Sequence, residues 1–138
     1  MSVDISGEFV LTIIDSSNMI FEQNFIEKFE PAILVKKGQS IANRIAEKNV
    51  WSYALEFNSY MDFAERFRLF VNKLSENIHH INELKRSFET IKITIFVRSD
   101  YAQLGYQVPS EILCDLAKLK LDLEFQVLSF GLVPAKSP

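Results

Sequence analysis

Two adjacent histidines and a glutamate have the clearest chemical potential in this sequence. They lie in residues 76–87, which read ENIHHINELKRS. On a helix each residue advances by about 100°, so the apolar residues of this segment form one stripe and His79 lies nearly opposite it. Glu83 is spaced to share the exposed side with His79, whereas His80 turns away from its neighbour. The two histidines therefore do not chelate one metal ion together.

A metal site would need more ligands than this segment supplies. His79 and Glu83 could give two, but zinc takes three or four, and the only cysteine is Cys114. Carboxylates from elsewhere could complete the set, although no spacing in the sequence indicates that they do. Cys114 could act as a nucleophile beside a base, yet it points away from the apolar side of its predicted helix. We interpret these residues as parts of solvated helices and predict no metal and no cofactor.

Two further patterns resemble sites but have simpler explanations. Asp122 and Glu124 lie two residues apart on one strand face, a separation compatible with paired catalytic carboxylates. Outward residues of a solvated strand explain them better. Residues 36–39 read KKGQ, which is neither a Walker motif nor a dinucleotide fingerprint. The sequence therefore favours a protein that is not an enzyme.

Length and composition predict one compact domain. The chain has 138 residues, 48% of them hydrophobic, and no linker rich in proline, glycine or serine divides it. This composition supplies ample apolar surface for a core. We expect a single domain over residues 1–130 and a flexible C-terminal tail over residues 131–138.

Charge and hydropathy narrow the expected partners. A formal net charge of −3 does not attract nucleic acid or anionic lipid. The first residues carry no basic stretch followed by an apolar one, and no window has the long uncharged run of a membrane span. A lone cysteine is typical of a reducing compartment. We expect a cytoplasmic protein without nucleic-acid or membrane partners.

Hydrophobic periodicity predicts the element order β-α-β-β-α-α-β-α-β. The predicted strands read EFVLTII, AILVKKG, VWSYALEF, TIKITIFV and LDLEFQV. The first predicted helix follows Ser16, Ser17 or Asn18, carries Ile20, Phe21, Phe25 and Phe29, and ends at Pro31. The next has Asp62 as its cap and an apolar stripe of Phe63, Phe67, Phe70, Val71 and Leu74. Residues 78–87 form a short helix, and Pro109 and Ser110 open the last one.

This order predicts the α+β class with a ferredoxin-like split βαβ core, extended by one helix and one strand. The simplest architecture is an open-faced sandwich with a mainly antiparallel sheet and helices on one face. On the last strand, Leu121, Leu123, Phe125 and Val127 are predicted to point inward. The polar face opposite the helices, and the loop between the second and third strands, are where we expect a partner.

Several segments together are similar, in order, to the bacterial family DUF4279. They read KKGQ, WSYALEF, FRLFVNKLSENIHHINELKRS, IKITIFV and VPSEILCDLAKLKLDLEFQVL, and the likeness runs from Phe9 to Leu128. The resemblance implies a small, soluble bacterial protein without an established reaction. Gly38 and Trp51 are the residues that match the family pattern.

Two functions remain open at this point. The first is a non-enzymatic protein-interaction module, of the kind that bacterial immunity proteins represent, which binds another protein through acidic outward residues. The alternative is a small-ligand-binding or regulatory domain with a pocket near Trp51 and the loop from Lys36 to Arg44. The predicted partner or ligand surface comprises Lys36, Gly38, Arg44, Trp51, Tyr53, Glu56, Asp122 and Glu124. The oligomeric state is left open.

Overall fold

The computed structural model of the protein describes residues 5–17, 29, 33–101 and 105–132. The strands in this part of the chain are β1 (Ile5–Asp15), β2 (Ile33–Val35), β3 (Ser40–Ile41), β4 (Arg44–Ile45), β5 (Asn49–Asn58), β6 (Thr90–Tyr101) and β7 (Asp122–Leu132). The helices are α1 (Phe63–Glu76), α2 (Ile78–Ser87) and α3 (Ser110–Leu119). None of these helices has the length and apolar composition needed to cross a membrane.

Five of the described strands form one sheet in the order β2-β5-β1-β6-β7, and β3 pairs with β4 as a separate hairpin. β1 runs antiparallel to both β5 and β6, and β2 runs antiparallel to β5. β6 and β7 run parallel, and α3 supplies the crossover that a parallel connection requires. The predicted α+β class with a mainly antiparallel sheet is therefore confirmed.

Alternation along β1 separates the two faces of the sheet. Phe9, Leu11 and Ile13 are fully buried on the face that the helices cover. Their register partners continue this face into the neighbouring strands, so that Leu11 lies between Tyr53 of β5 and Ile93 of β6. The intervening residues of β1 point to the opposite face, which we call the open face.

Aromatic rings fill the centre of the core. The ring of Phe9 stacks on that of Phe67 from α1, with centroids 4.9 Å apart and 6° between the planes. The rings of Phe57, Phe63 and Phe70 also lie within 5.9 Å of Phe9. Burying one such side chain contributes about 1.5–3 kcal/mol, so this cluster is the main anchor of α1 on the sheet.

Helix α1 begins at the residue that the sequence predicts, and it buries the predicted residues. Oδ1 of Asp62 accepts a hydrogen bond from the backbone N–H of Glu65 at 3.0 Å, which confirms the predicted N-cap. The buried residues of α1 are Phe63, Phe67, Phe70, Val71 and Leu74. They are the predicted apolar stripe, because steps of three and four place side chains on one side of a helix.

The hairpin of β3 and β4 was not predicted. Its turn residues Ala42 and Asn43 have φ values of 46° and 67°, so both adopt the left-handed conformation that a two-residue hairpin turn requires. Gly38, with φ of 89°, lies just before this hairpin. Its conformation explains a glycine at this strand end.

The last strand departs from the prediction in two ways. Phe125 and Val127, predicted to point into the core, are 59% and 56% exposed. Both are on the helix-covered side of β7, but only Leu123 of this strand, and Leu121 just before it, pack against the core. β7 also continues to Leu132, beyond the predicted end of the domain.

The helix predicted around Ile20, Phe21 and Phe25 lies outside the described residues, as do residues 133–138 of the tail predicted over residues 131–138. Phe29, predicted on the same helix, is described and is fully buried. Its ring meets those of Trp51 and Tyr53 edge to face, at 6.4 Å and 5.1 Å between centroids. It therefore extends the aromatic core beside β5.

Candidate functional site

The residues with the clearest chemical potential are not brought together. His79 is exposed on α2, and Cys114 is exposed on α3. His80 rather than His79 faces Glu83, with Nδ1 3.9 Å from Oε2. Among the described residues, no group of three or more histidine, cysteine, aspartate or glutamate side chains could hold a metal ion. His79 and Glu83 are therefore exposed on α2, whereas His80 is half-buried.

The predicted basic loop lies apart from the predicted aromatic pocket. Lys36, Gly38 and Arg44 are exposed around the β3–β4 hairpin. Gly38 donates its N–H to the carbonyl of Ala46 at 2.8 Å, which closes the base of this hairpin. Trp51 lies instead on the helix-covered face and is fully buried, so its indole ring does not line an open cavity with the loop.

Tyr53 belongs to the core as well. Its ring stacks on Phe70 at 5.9 Å with 8° between the planes. The ammonium group of Lys73 lies 4.7 Å from the centroid of the Tyr53 ring, which favours the cation over the ring face. Trp51 and Tyr53, predicted on the partner or ligand surface, therefore pack in the core.

The predicted acidic residues all lie on the open face, but on different strands. Glu56 is on β5, whereas Asp122 and Glu124 are on β7, and β1 and β6 separate the two groups. Neighbouring strands lie about 4.8 Å apart, so the groups are on the order of 14 Å apart. They do not form one continuous acidic patch.

Glu124 is held by three polar neighbours. Its Oε1 accepts hydrogen bonds from Gln126 Nε2 at 3.0 Å, Thr94 Oγ1 at 3.3 Å and Lys92 Nζ at 3.4 Å. The hydrogen bond from Gln126, together with the charge and hydrogen bond of Lys92, lowers the pKa of this carboxyl below its ordinary value of 4.5. The residue is ionised at neutral pH and already has partners in the sheet.

A groove crosses the open face between β5, β1 and β6, with a volume of about 510 Å³. Its lining residues are Glu8, Val10, Thr12, Val50, Ser52, Ala54, Glu56, Phe96 and Arg98. Of these, only Glu56 was singled out from the sequence. The alternation of β1, β5 and β6 places the others on the outward side, but only the register of the strands brings them together.

The free edge of β7 is the second exposed feature. Among the described strands β7 is the last in the sheet, next to β6 alone. Four of its large apolar side chains are more than half exposed, namely Phe125, Val127, Leu128 and Phe130. Isolated exposed apolar residues are ordinary, but here four lie within six positions, with Phe125 and Val127 on the helix-covered side and Leu128 and Phe130 on the open face.

Comparison with known proteins identifies one family. The model of a domain of unknown function, DUF4279, matches residues 27–129. No curated protein and no solved structure matches the chain. The matched region contains β2 to β6, the three helices that the structure describes and most of β7.

Proposed function

The chain belongs to the DUF4279 family, and from this starting point we propose that it is a non-enzymatic protein-interaction module that binds an extended segment of another protein along the free edge of β7. The composition and exposure of this edge strand support the proposal. The bound segment would add a strand to the sheet, with main-chain hydrogen bonds giving affinity and the exposed side chains giving specificity.

The outer part of β7 lacks two of the usual protections against pairing with another chain, charge and proline, although its register with β6 shifts between Ser99 and Tyr101. β7 spans 11 residues, and from Phe125 to Leu132 it contains no charged residue and no proline. Natural sheets shield exposed edges with short strands, lysines, prolines or bulges, because unpaired N–H and C=O groups otherwise recruit another strand. The uncharged stretch from Phe125 to Ser129, which precedes this irregularity, is therefore the part of the edge best suited to a partner strand.

The charge distribution along β7 indicates what the partner carries. Asp122 is exposed at the start of the strand, and the acidic Glu124 follows two residues later. The rest of the strand is uncharged. A complementary segment is apolar along its length and carries a lysine or arginine at the end that meets Asp122. An immunity-like protein that neutralises another protein would work in this way.

A matched pair of substitutions tests this proposal. Val127 on β7 and Leu69 on α1 are both 56% exposed, so lysine at either position should leave the fold intact. We expect the wild type and Leu69→Lys to retain the same partner in a quantitative pull-down, and Val127→Lys to lose it. Circular dichroism melting of all three proteins checks that the fold is unchanged.

The same experiment can contradict the proposal. A partner held equally well by Val127→Lys would show that binding occurs elsewhere. Light scattering on the purified protein tests whether the partner is a second copy of this chain. A dimer that Val127→Lys abolishes would show that this second copy binds the β7 edge. A partner bound at β7 should also protect the backbone amides of this strand from hydrogen exchange.

Charge reversal tests the predicted acidic contribution separately. We expect Asp122→Lys to weaken partner capture, since it places a cation opposite the basic end of the segment. Glu56→Lys is the control, because two strands, β1 and β6, separate Glu56 from β7. Equal loss of capture with both variants would indicate a non-specific effect of net charge.

The proposal extends to the fold and the cellular location. The strand order β2-β5-β1-β6 supports a ferredoxin-like split βαβ core. In this arrangement β5 and β6 are parallel and lie on either side of β1, and α1 and α2 connect β5 to β6. An experimental structure compared with that fold would test this. The bacterial cytoplasm expected from the sequence is tested by fractionating cells and locating the protein by immunoblot.

A further inference from the structure

The groove on the open face contains two buried polar atoms without hydrogen-bond partners. Ser52 is 3% exposed, and its Oγ has no partner. Glu8 accepts a hydrogen bond from Arg98 Nη2 at 3.1 Å through Oε1, but its Oε2 is buried and has none. Such atoms are rare in native proteins, because a buried polar atom without a partner loses its hydrogen bonds to water and gains none in return.

Charge in the groove favours a cation. Glu8 and Glu56 are directly paired across β1 and β5, so two carboxylates lie side by side at one end of the groove. Arg98 is the single cationic side chain among the described lining residues. Like charges in directly opposite positions destabilise a sheet. A second positive charge between these carboxylates would relieve the repulsion and satisfy Oε2 of Glu8.

Between its two polar ends the groove is apolar. Val10 and Ala54 are directly paired on its floor, and Phe96, next to Glu8 on β6, forms a wall. Ser52 lies four residues from Glu56 along β5, which is about 13 Å at the rise of a strand. The volume of about 510 Å³ lies in the range of small-molecule sites.

We propose that this groove binds an elongated amphipathic amine. The protonated amino group donates a hydrogen bond to Oε2 of Glu8 and lies near Glu56. The apolar body covers Val10 and Ala54 beside Phe96, and a terminal hydroxyl or similar polar group meets Ser52 Oγ. This site is independent of the β7 edge, because it lies on β5, β1 and β6.

The test compares two probes that differ in one charged group. The first is 8-amino-1-octanol, whose nitrogen and oxygen are separated by a chain long enough to approach both ends of the groove. The second is 1,8-octanediol, which has the same length without the charge. Binding is measured by calorimetry and by NMR shifts of backbone amides.

We expect the amino alcohol to bind with shifts centred on Val10, Ala54 and Phe96, and the diol to bind at least about tenfold more weakly, as loss of one charge-assisted hydrogen bond implies. Glu8→Gln should reduce the affinity for the amino alcohol by a similar factor, and Ser52→Ala by a smaller one. Glu83→Gln, an exposed change on α2, should leave the affinity unaltered.

Three results would overturn the proposal. These are equal binding of the two probes, unchanged affinity in Glu8→Gln, or shifts that map away from the groove. If Glu8→Gln fails to fold, the comparison of the two probes on the wild type still decides. Val127→Lys should bind the amino alcohol normally, so failure at this site and failure at the β7 edge are separate outcomes.

Discussion

Gly7 of β1 lies directly against the ring of Phe57, its register partner in β5. A Cβ atom at Gly7 would lie 2.7 Å from Cζ of Phe57 and would also meet the carbonyl oxygen of Phe96. The backbone oxygen cannot move without disturbing the β1–β6 pairing. The absence of a side chain at this position is therefore a requirement of the core.

We expect Gly7→Ala to lower the free energy of unfolding by about 1–3 kcal/mol, as overpacked core substitutions do. Urea denaturation measures this change in the free energy of unfolding. Gly105→Ala is the control, since a Cβ there would have no heavy atom within 4 Å, and it should change stability by less than about 0.5 kcal/mol. Equal stability of Gly7→Ala and wild type would show that β1 can shift to admit a methyl group.

The aromatic cluster predicts that alanine substitutions at two nearby residues of α1 differ greatly in their cost to stability. Phe67 is 1% exposed and stacks on Phe9, whereas Leu69 is 56% exposed. Phe67→Ala should cost about 3–5 kcal/mol through lost burial and the cavity that remains. Leu69→Ala should stay within about 0.5 kcal/mol of wild type. Chemical denaturation of both variants checks this, and similar losses in both would contradict the assigned packing of α1.

The end of α3 offers a stabilising substitution. Lys120 has φ of 53° and ψ of 46°, a left-handed conformation that costs a residue with a Cβ about 1 kcal/mol. Lys120→Gly should therefore raise the melting temperature. Lys118→Gly, within the same helix, should lower it, because glycine in a helix interior costs about 1 kcal/mol relative to alanine. A fall in both variants would argue against the left-handed cap.

The lowered pKa of Glu124 predicts how the free energy of unfolding depends on pH. Its pKa is lowered in the folded protein, chiefly by the hydrogen bond from Gln126. A lowered pKa means that the ionised form stabilises the fold, so this contribution is present above the unfolded-state pKa of about 4.5 and is lost as the pH falls through the folded value. Gln126→Ala should raise the titration midpoint of the Glu124 carboxyl, measured by NMR. An unchanged midpoint would show that Gln126 is not the main cause.

Much of the fold could be predicted from local patterns. The Asp62 cap and the α1 stripe follow from residue type and helical spacing, and the alternation of β6 separates Ile93 and Ile95 from Lys92. The hairpin at Ala42 and Asn43 could not be predicted in this way, because two-residue strands show no alternation and the turn lacks a glycine.

The groove could not be predicted because it depends on pairing between distant strands. Alternation places Glu8 and Ser52 on the outward side of their strands, but it does not show that β1 and β5 are neighbours or which residues are paired. The unexpected exposure of Phe125 and Val127 has a related explanation. Alternation gives the face on which a side chain lies, whereas its burial depends on whether a helix reaches that part of the sheet.

The central position of β1 also bears on how the chain is synthesised. β1 precedes both of its neighbours, and its pairing partners extend to residues 49–58 and 90–99. During translation β1 therefore leaves the ribosome well before either partner strand has been synthesised. Its apolar residues stay unpaired until most of the chain has been made. Such non-local pairing slows folding and exposes strands to aggregation. We therefore expect the nascent protein to fold more slowly than its small size would suggest.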